Sequence, residues 1–276
     1  MIRYYKMKKK ILNAVFIIPA MVLFSIFFIF PLVMLFVSSI TGKTGGITFA
    51  NYTSIITNPY YFRALCNSLW LSLAVTGATL VIAGVISCFL ARTNFKGKDL
   101  YMTLITFPIS LPGVVVGFMI IILFGRTGAI PMLTRLITGE AIGRIAYTIT
   151  GIFFAYLYFM IPRIVMTLYG AVVEFDVRLE EAARTIGATE YQAVFFVVIP
   201  TLIPVFVSAA ALSFYTSMSA FGTAFTLANQ FEILPIVMYN ELTINFRLAE
   251  ASAMAILIGI ICIVLNMVYR SIMERE

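Results

Sequence analysis

Side chains that commonly carry out chemistry are scarce in this sequence, and their scarcity excludes several classes of protein. The chain contains no histidine, so imidazole metal sites, histidine general bases and Ser-His-Asp hydrolysis are excluded together. Its three cysteines, Cys66, Cys88 and Cys262, have no CxxC spacing. We interpret them as small packing residues rather than as a disulfide framework or a metal site. We therefore expect no catalytic residue, no bound cofactor and no metal.

Two short segments look like the end of a phosphate-binding loop, but their spacing is wrong. Gly42-Lys43-Thr44 has Val37 five positions before its glycine, where such a loop requires another glycine. Gly97-Lys98 is followed by Asp99 instead of serine or threonine. The sequence thus predicts no nucleotide-binding motif, and any ATP must be hydrolysed by another subunit.

The acidic side chains concentrate in one segment. Five of the twelve Asp and Glu residues lie within residues 174–200, between two long apolar runs. Asp176 is the residue type of a helix N-cap, and Gly187 can adopt the left-handed conformation that ends a helix. Thr189 and Gln192 have the spacing of a capping box that starts another helix. The sequence predicts two short helices joined at one glycine, and we call residues 176–192 the elbow.

The first elbow helix is predicted to have one small apolar face and one charged face. Glu180 and Arg184 have the favourable i, i+4 order, and Glu181 lies on the same charged side. The apolar stripe at helical spacing comprises Leu179, Ala182, Ala183 and Ile186. Helix physics alone leaves two interpretations open: a groove of another protein grips the stripe, or the elbow is an ordinary solvated amphipathic segment.

The composition identifies a membrane protein. The chain is 62% hydrophobic and 11% charged, with a mean hydropathy of +1.03, whereas soluble domains are about half apolar and about a quarter charged. The formal net charge is +7. Basic residues beside apolar spans reflect the positive bias of cytoplasmic loops rather than nucleic-acid binding. We expect the lipid bilayer, and no nucleic acid, as a partner.

Six transmembrane helices are predicted, with both termini in the cytoplasm. Twelve of the nineteen basic residues then lie in cytoplasmic segments. Arg163, within the fourth span, is expected to face the bundle interior or to extend towards the cytoplasmic interface. The spans, each of about 20 residues or more, are residues 11–40, 67–91, 101–124, 145–170, 193–219 and 250–268. Residues 41–66 are expected to form an external loop with a short helix at 49–56.

Three features are candidates for the lining of a solute pathway. Pro108, Pro112 and Gly113 interrupt the third span, and a broken helix either faces a water-filled cavity or is simply kinked by its prolines. Hydroxyl groups in the fifth span, including Ser213 and Ser217, either line a hydrated path or allow close helix packing. Residues 220–249, which include Phe221 and Gly222, are predicted to be an external excursion that forms a gate or a docking rim.

A longer pattern begins within the elbow and continues beyond it to Pro200. Glu181-Ala182-Ala183 is followed by three residues, Gly187, nine residues, and then Val197-x-Ile199-Pro200. This resembles the cytoplasmic EAA loop of the membrane subunits of binding-protein-dependent ABC importers, with the pattern E-A-A-x3-G-x9-I-x-L-P. The two departures, Val197 and Ile199, keep an aliphatic residue in each place.

The resemblance implies a fold and a set of partners. It implies a type I importer permease with a core of five helices, cytoplasmic coupling helices, and a transmembrane domain at residues 67–267, preceded by residues 1–66 and followed by a cytoplasmic tail at 268–276. Two ABC ATPase subunits, a second permease subunit that is identical or homologous, and an extracytoplasmic solute-binding protein would complete the transporter in the bacterial inner membrane. The ATPase-coupling residues would be Glu180, Glu181, Ala182, Ala183, Ile186, Gly187 and Pro200.

Two further motifs bear on the solute. Residues 112–117, which read PGVVVG, and Phe221-Gly222-Thr223 are similar to the permease subgroup for polyamines, ferric iron, thiamine, sulfate or aminoethylphosphonate. The alternative function is a stand-alone secondary transporter or channel, which the lack of a central Asp or Glu in the spans disfavours. An intramembrane enzyme is disfavoured because the spans contain no paired carboxylates.

Overall fold

The computed structural model describes residues 17–42, 45–228 and 231–273, and helices dominate this part of the chain. The predictions for residues 1–16, 43–44, 229–230 and 274–276 lie outside it. In chain order the helices are α1 (Ile17–Ser39), α2 (Ala50–Thr57), α3 (Pro59–Arg92), α4 (Lys98–Thr106), α5 (Gly113–Phe124), α6 (Ala129–Thr138), α7 (Ile149–Glu174), α8 (Val177–Thr185), α9 (Glu190–Met218), α10 (Gly222–Leu227), α11 (Leu234–Thr243) and α12 (Leu248–Met273).

Six helical segments of the described residues are long and apolar enough to cross a membrane, which confirms the predicted number. Apolar side chains cover their outer faces: Val81 and Val85 are each 69% exposed, which is expected where lipid rather than water is the solvent. The segments are Ile17–Ser39, Pro59–Arg92, Gly113–Thr138, Ile149–Glu174, Glu190–Met218 and Leu248–Tyr269. The chain is therefore an all-α, multi-pass membrane protein.

The second span is longer than predicted. It begins at Pro59 rather than at residue 67, because proline fits the first turn of a helix and no other proline follows before Arg92. Its 34 residues extend about 51 Å, well beyond a hydrocarbon core of about 30 Å. The predicted end of the loop at residue 66 was therefore wrong, because the loop ends before Pro59. The short helix predicted within the loop is confirmed as α2.

The third span is interrupted where the sequence predicted. After α4, a 3₁₀ turn at Phe107–Ser110 leads into Leu111, whose ψ of 132° is extended, because the residue before a proline is driven out of the helical region. The chain turns helical again at Gly113, so the segment able to cross the membrane is Gly113–Thr138 and not 101–124. That segment contains α5, a turn in which Gly128 N donates to Gly125 O at 3.0 Å, and α6.

The chain divides into two compact units, Met1–Asn58 with Met238–Leu257, and Pro59–Val237 with Ile258–Glu276. In the first, α2 packs at the end of α1. Asn51 Nδ2 donates to Ser39 O at 2.8 Å and to Thr41 O at 3.0 Å, and the Tyr52 and Ser39 hydroxyls are 2.7 Å apart. These contacts satisfy carbonyl groups that the end of a helix leaves without partners.

In the second unit α3, α7 and α9 pack together, and α5 and α10 pack against them. Two buried clusters hold these helices: one contains side chains from α3, α5, α7 and α10, and the other joins α3, α7 and α9. The members of the first cluster with no exposed surface are Val75, Ile152, Ala155, Met160, Ala224 and Leu227.

The described first part of the predicted excursion, residues 220–228 and 231–237, is packed against the other helices, which the sequence did not predict. Its position outside the membrane stays a prediction. Thr223, Ala224 and Leu227 are buried, and Leu227 is part of the same cluster as Val75 of the second span. Polar contacts pin both ends of the segment: Tyr156 OH donates to Ala220 O at 2.7 Å, and Ser68 Oγ accepts from Leu234 N at 2.7 Å. Because these partners are distant in sequence, hydropathy alone did not reveal the burial.

Candidate functional site

The first helix of the elbow, α8, has a side-chain cap at its N-terminus and ends at a glycine in the left-handed conformation. Asp176 Oδ1 accepts a hydrogen bond from Arg178 N at 3.0 Å, and Gly187 has a φ of 95°. Gly187 N donates to Arg184 O at 3.0 Å, and Ala188 N donates to Ala183 O at 3.1 Å. These paired bonds form a Schellman motif, so both predicted ends of α8 are confirmed.

The second arm of the elbow starts α9 through the predicted capping box. Thr189 N donates to Gln192 Oε1 at 2.8 Å, and Gln192 N donates to Thr189 Oγ1 at 3.4 Å. Farther along, a π-helical turn at Val194–Val198 precedes Pro200, and Ile199 N donates to Val194 O. Such a turn accommodates a proline, whose ring would otherwise collide with the carbonyl four residues earlier. Pro200 therefore lies inside a continuous helix, with its surface exposed.

The apolar stripe of α8 has no covering within the described residues. Ile186 is 88% exposed and Leu179 is 47% exposed, while Ala182 is exposed and Ala183 half-buried. Glu181 is exposed as well. An aliphatic patch beside a short charged helix fits a groove on another protein better than it fits water.

Glu180 departs from the predicted charged, solvated face. Its side chain is only 7% exposed, and its two oxygens have different partners: Oε1 lies 2.7 Å from Arg184 Nη2, and Oε2 lies 3.0 Å from Arg92 Nη2. Arg184 Nη2 also lies 3.4 Å from Glu190 Oε1. A carboxylate in such a place must be paired, because an unpaired buried charge is costly. The predicted Glu180–Arg184 pair is confirmed, whereas Arg92 had no local signal in the sequence.

The contact between Arg92 and Glu180 also fixes one point of topology. Arg92 is the last residue of α3, and Glu180 lies in the connection between α7 and α9. The two connections therefore lie at the same end of the bundle, as six alternating spans require.

The structure brings two of the predicted pathway segments together. A Cβ atom added to Gly113 would lie 2.9 Å from Thr223 Oγ1, and one added to Gly222 would lie 3.4 Å from Val114 N. The break at Pro112 and the segment that begins at Phe221 thus meet where α5 packs on α10. Gly117 entered the sequence analysis only as the end of the 112–117 motif, and its packing against Thr223 and Thr226 was not predicted. Its spacing of four from Gly113 is nevertheless the small-xxx-small pattern of close helix packing.

Ser213 and Ser217 are buried rather than exposed to an open channel. Ser213 Oγ accepts from Thr76 Oγ1 at 3.3 Å, so α9 faces α3 here through hydroxyl groups. The buried hydroxyls of Thr79 and Ser217 have no hydrogen-bond partner among the described residues. Ser213 therefore lies in the α3–α9 interface, Ser217 is buried, and the role of both serines in a pathway stays a prediction.

The fold and the elbow together define a class of protein: a multi-pass, all-α membrane protein that presents a helical elbow at one end of its bundle. A solved bacterial alginate ABC transporter in complex with an alginate pentasaccharide-bound periplasmic protein has the same fold, with a TM-score of 0.82 and 16% identity over 99% of this chain and 97% of that chain.

The family of binding-protein-dependent transport system inner membrane components matches residues 80–275, and the chain belongs to this family. It is similar to the sulfate permease CysT of Escherichia coli K12 (29% identity; 84% of this chain, 83% of that protein). It is also similar to the molybdenum permease ModB of Haemophilus influenzae (29%; 63% and 77%) and the spermidine/putrescine permease PotC of Escherichia coli K12 (25%; 85% and 85%).

The chain is thus a permease subunit of an ABC importer and is not itself catalytic. This assignment decides against the alternative of a stand-alone secondary transporter or channel. It also confirms the subgroup that the sequence motifs indicated, since sulfate and polyamine permeases are both among the relatives.

Proposed function

We propose that the elbow is the surface on which an ABC ATPase subunit docks, and that it lies on the cytoplasmic side of the membrane. The exposed apolar stripe of α8 carries this proposal, because Ile186 and Leu179 remain open to solvent beside two alanines that allow close approach. The Schellman motif at Gly187 fixes the angle between the arms, so that Glu181, Ala182, Ala183 and Ile186 are presented as one rigid surface.

Replacing Ala182 with tryptophan tests this docking surface. The bulky ring is expected to hold the two surfaces apart and to reduce co-purification of the ATPase subunits with the permease by about tenfold, the loss that corresponds to about 1.4 kcal/mol of binding energy. Leu136→Trp is the matched control, because Leu136 is 76% exposed on α6, outside the elbow. Equal recovery of ATPase subunits with both variants would refute the proposal.

We further infer the remaining partners and the orientation from the family and the charge pattern. Two ATPase subunits, a second permease subunit and an external solute-binding protein would complete the transporter, and the alginate transporter structure, with its bound periplasmic protein, supports the last of these. Both termini are placed in the cytoplasm, because most basic residues of the chain then lie on that side. The transport domain would comprise residues 67–267.

The pathway is proposed to run beside the junction of α5 and α10. Pro112 and Gly113 break the third span there, and Phe221 and Gly222 begin the segment that packs against it. Irregular backbone is tolerated at membrane depth where it borders protein or a hydrated cavity. Ser213, which contacts Thr76 of α3, would join the pathway only in a state that separates α9 from α3. Ser217 would join it only in a state that exposes its buried side chain.

The solute is proposed to be a small oxyanion, such as sulfate or molybdate. The relatives CysT and ModB support this choice, and so does the α6 region, where Arg126, Arg135 and Arg144 are exposed and Glu140 is the single acid among residues 125–148. PotC makes a polyamine the second candidate.

Uptake by cells that express the complete transporter distinguishes these candidates. We expect accumulation of labelled sulfate or molybdate to depend on this chain, while accumulation of labelled spermidine does not. Deletion of the chain provides the baseline for each solute. Spermidine uptake that depends on the chain, with no uptake of either oxyanion, would contradict the choice of an anion.

A further inference from the structure

The buried carboxylate of Glu180 is the centre of a charge network that joins the elbow to the second span. Its Oε2 atom lies 3.0 Å from Arg92 Nη2, at the end of α3, and its Oε1 atom lies 2.7 Å from Arg184 Nη2, on its own helix. The Arg92 side chain is 41% exposed, whereas that of Glu180 is 7% exposed. Among the described residues, the ion pairs of α8 involve one residue outside the elbow, and that residue is Arg92.

Because of the position of Arg92, this contact can transmit a displacement from the elbow to the core of the bundle. Helix α3 contributes to both buried clusters of its unit through Val75 and Leu90, and it packs against α7 and α9. A displacement applied to α8 therefore reaches a helix that runs the length of the core if the ion pair holds. The ion pairs of Arg184 cannot transmit a displacement to α3. Among the described residues, Arg184 pairs only with Glu180 and Glu190, which both lie within the elbow.

We propose that Glu180 is a positioning residue that ties α8 to α3 through Arg92, so that the elbow and the second span move together during the transport cycle. This inference rests on the proposed docking of the elbow on an ATPase subunit. It assigns different roles to neighbouring residues: the Ala182 surface binds the ATPase, and Glu180 passes the resulting movement to α3 without contacting the ATPase.

The test measures the distance between α8 and α3 in the assembled permease–ATPase complex. Spin labels are placed at the exposed positions Thr185 and Trp70 in a variant whose three cysteines are replaced by serine, and labelled permease is diluted with unlabelled permease. Pulsed electron spin resonance then gives the distance without nucleotide and after trapping with Mg-ATP and vanadate. We call the ion pair between Glu180 and Arg92 the tie. With the tie intact, we expect one distance between the labels, the same in both states.

In Arg92→Gln, the distance between the two labels is expected to change on trapping, or its distribution to broaden. The ATPase subunits should still co-purify with this variant. Arg184→Gln is the matched control, since it removes an arginine from Glu180 but leaves the tie, and it should behave as the parent does. Arg92→Lys keeps the charge and should restore the single distance. Exchange of the charges, Glu180→Arg with Arg92→Glu in the Arg184→Gln background, should restore it as well.

Several results would overturn the inference. A constant distance in Arg92→Gln, an equal shift in Arg184→Gln, or failure of both Arg92→Lys and the charge exchange to restore the single distance would each do so. Loss of ATPase binding in Ala182→Trp together with a constant distance in Arg92→Gln would refute the tie alone. Unchanged ATPase binding in Ala182→Trp would instead refute the proposed docking surface.

Discussion

Replacement of Gly187 by valine is expected to uncouple the permease from its ATPase while leaving membrane insertion intact. Gly187 has a φ of 95°, a conformation that costs an ordinary residue about 1–2 kcal/mol and is worst for β-branched side chains. Apart from Gly187 itself and its two chain neighbours, no described residue has a heavy atom within 4 Å of an added Cβ, so the strain comes from the backbone and not from a collision. The elbow should relieve it by changing the angle between α8 and α9.

The expected consequence is a loss of about tenfold in affinity for the ATPase subunits, equivalent to about 1.4 kcal/mol, with a matching loss of solute uptake. Binding is measured by titrating purified ATPase onto the permease in nanodiscs. Gly187→Asn should retain most of the affinity, because asparagine tolerates the left-handed region.

Gly139 offers a control that is matched in local geometry. It ends α6 with a φ of 80°, and an added Cβ there also meets nothing within 4 Å in the described part of the chain, so Gly139→Val carries the same backbone strain. We expect its ATPase affinity to equal that of the unaltered chain. If Gly139→Val and Gly187→Val weakened binding equally, the effect would be a general loss of stability and the elbow would have no special role.

Replacement of Gly117 by alanine is expected to damage the packing of α10 on α5 severely, although it adds a single methyl group. The new Cβ would collide with Thr226 Oγ1 and would lie 3.1 Å from Thr223 O. The first contact requires Thr226 to move, and the second involves the backbone of the buried residue Thr223. Overpacking of this kind costs about 1–3 kcal/mol or more.

The measurement is the apparent Tm of the detergent-purified permease, together with the yield of monodisperse protein. Gly77→Ala is the control: Gly77 also lies within a membrane helix, but an added Cβ meets no described atom within 4 Å, so the Tm should stay the same or rise. Thr226→Ala removes the Oγ1 atom and should recover part of the Tm lost in Gly117→Ala. A Tm for Gly117→Ala equal to that of Gly77→Ala would show that α10 does not pack on α5 in the membrane.

Much of the elbow could be predicted from sequence because its determinants are local. The Asp176 cap, the Gly187 terminus and the Thr189–Gln192 box each involve residues within a few positions of one another. The interruption at Pro112 is local in the same sense, since proline constrains its own φ and the residue before it. The number of spans followed from hydropathy, which reports the solvent of each segment and needs no knowledge of neighbours.

The sequence by itself determined the membrane class, the six spans, the caps of the elbow and the family resemblance. Only the tertiary structure decided that Glu180 is buried against Arg92, 88 positions away, and that Thr223, Ala224 and Leu227 of α10 are buried against the other helices. The physical reason is the same in both cases. Hydropathy and helix periodicity describe one segment at a time. The burial of a carboxylate or of a short helix depends instead on which distant side chains pack against it and supply its ion pairs and hydrogen bonds.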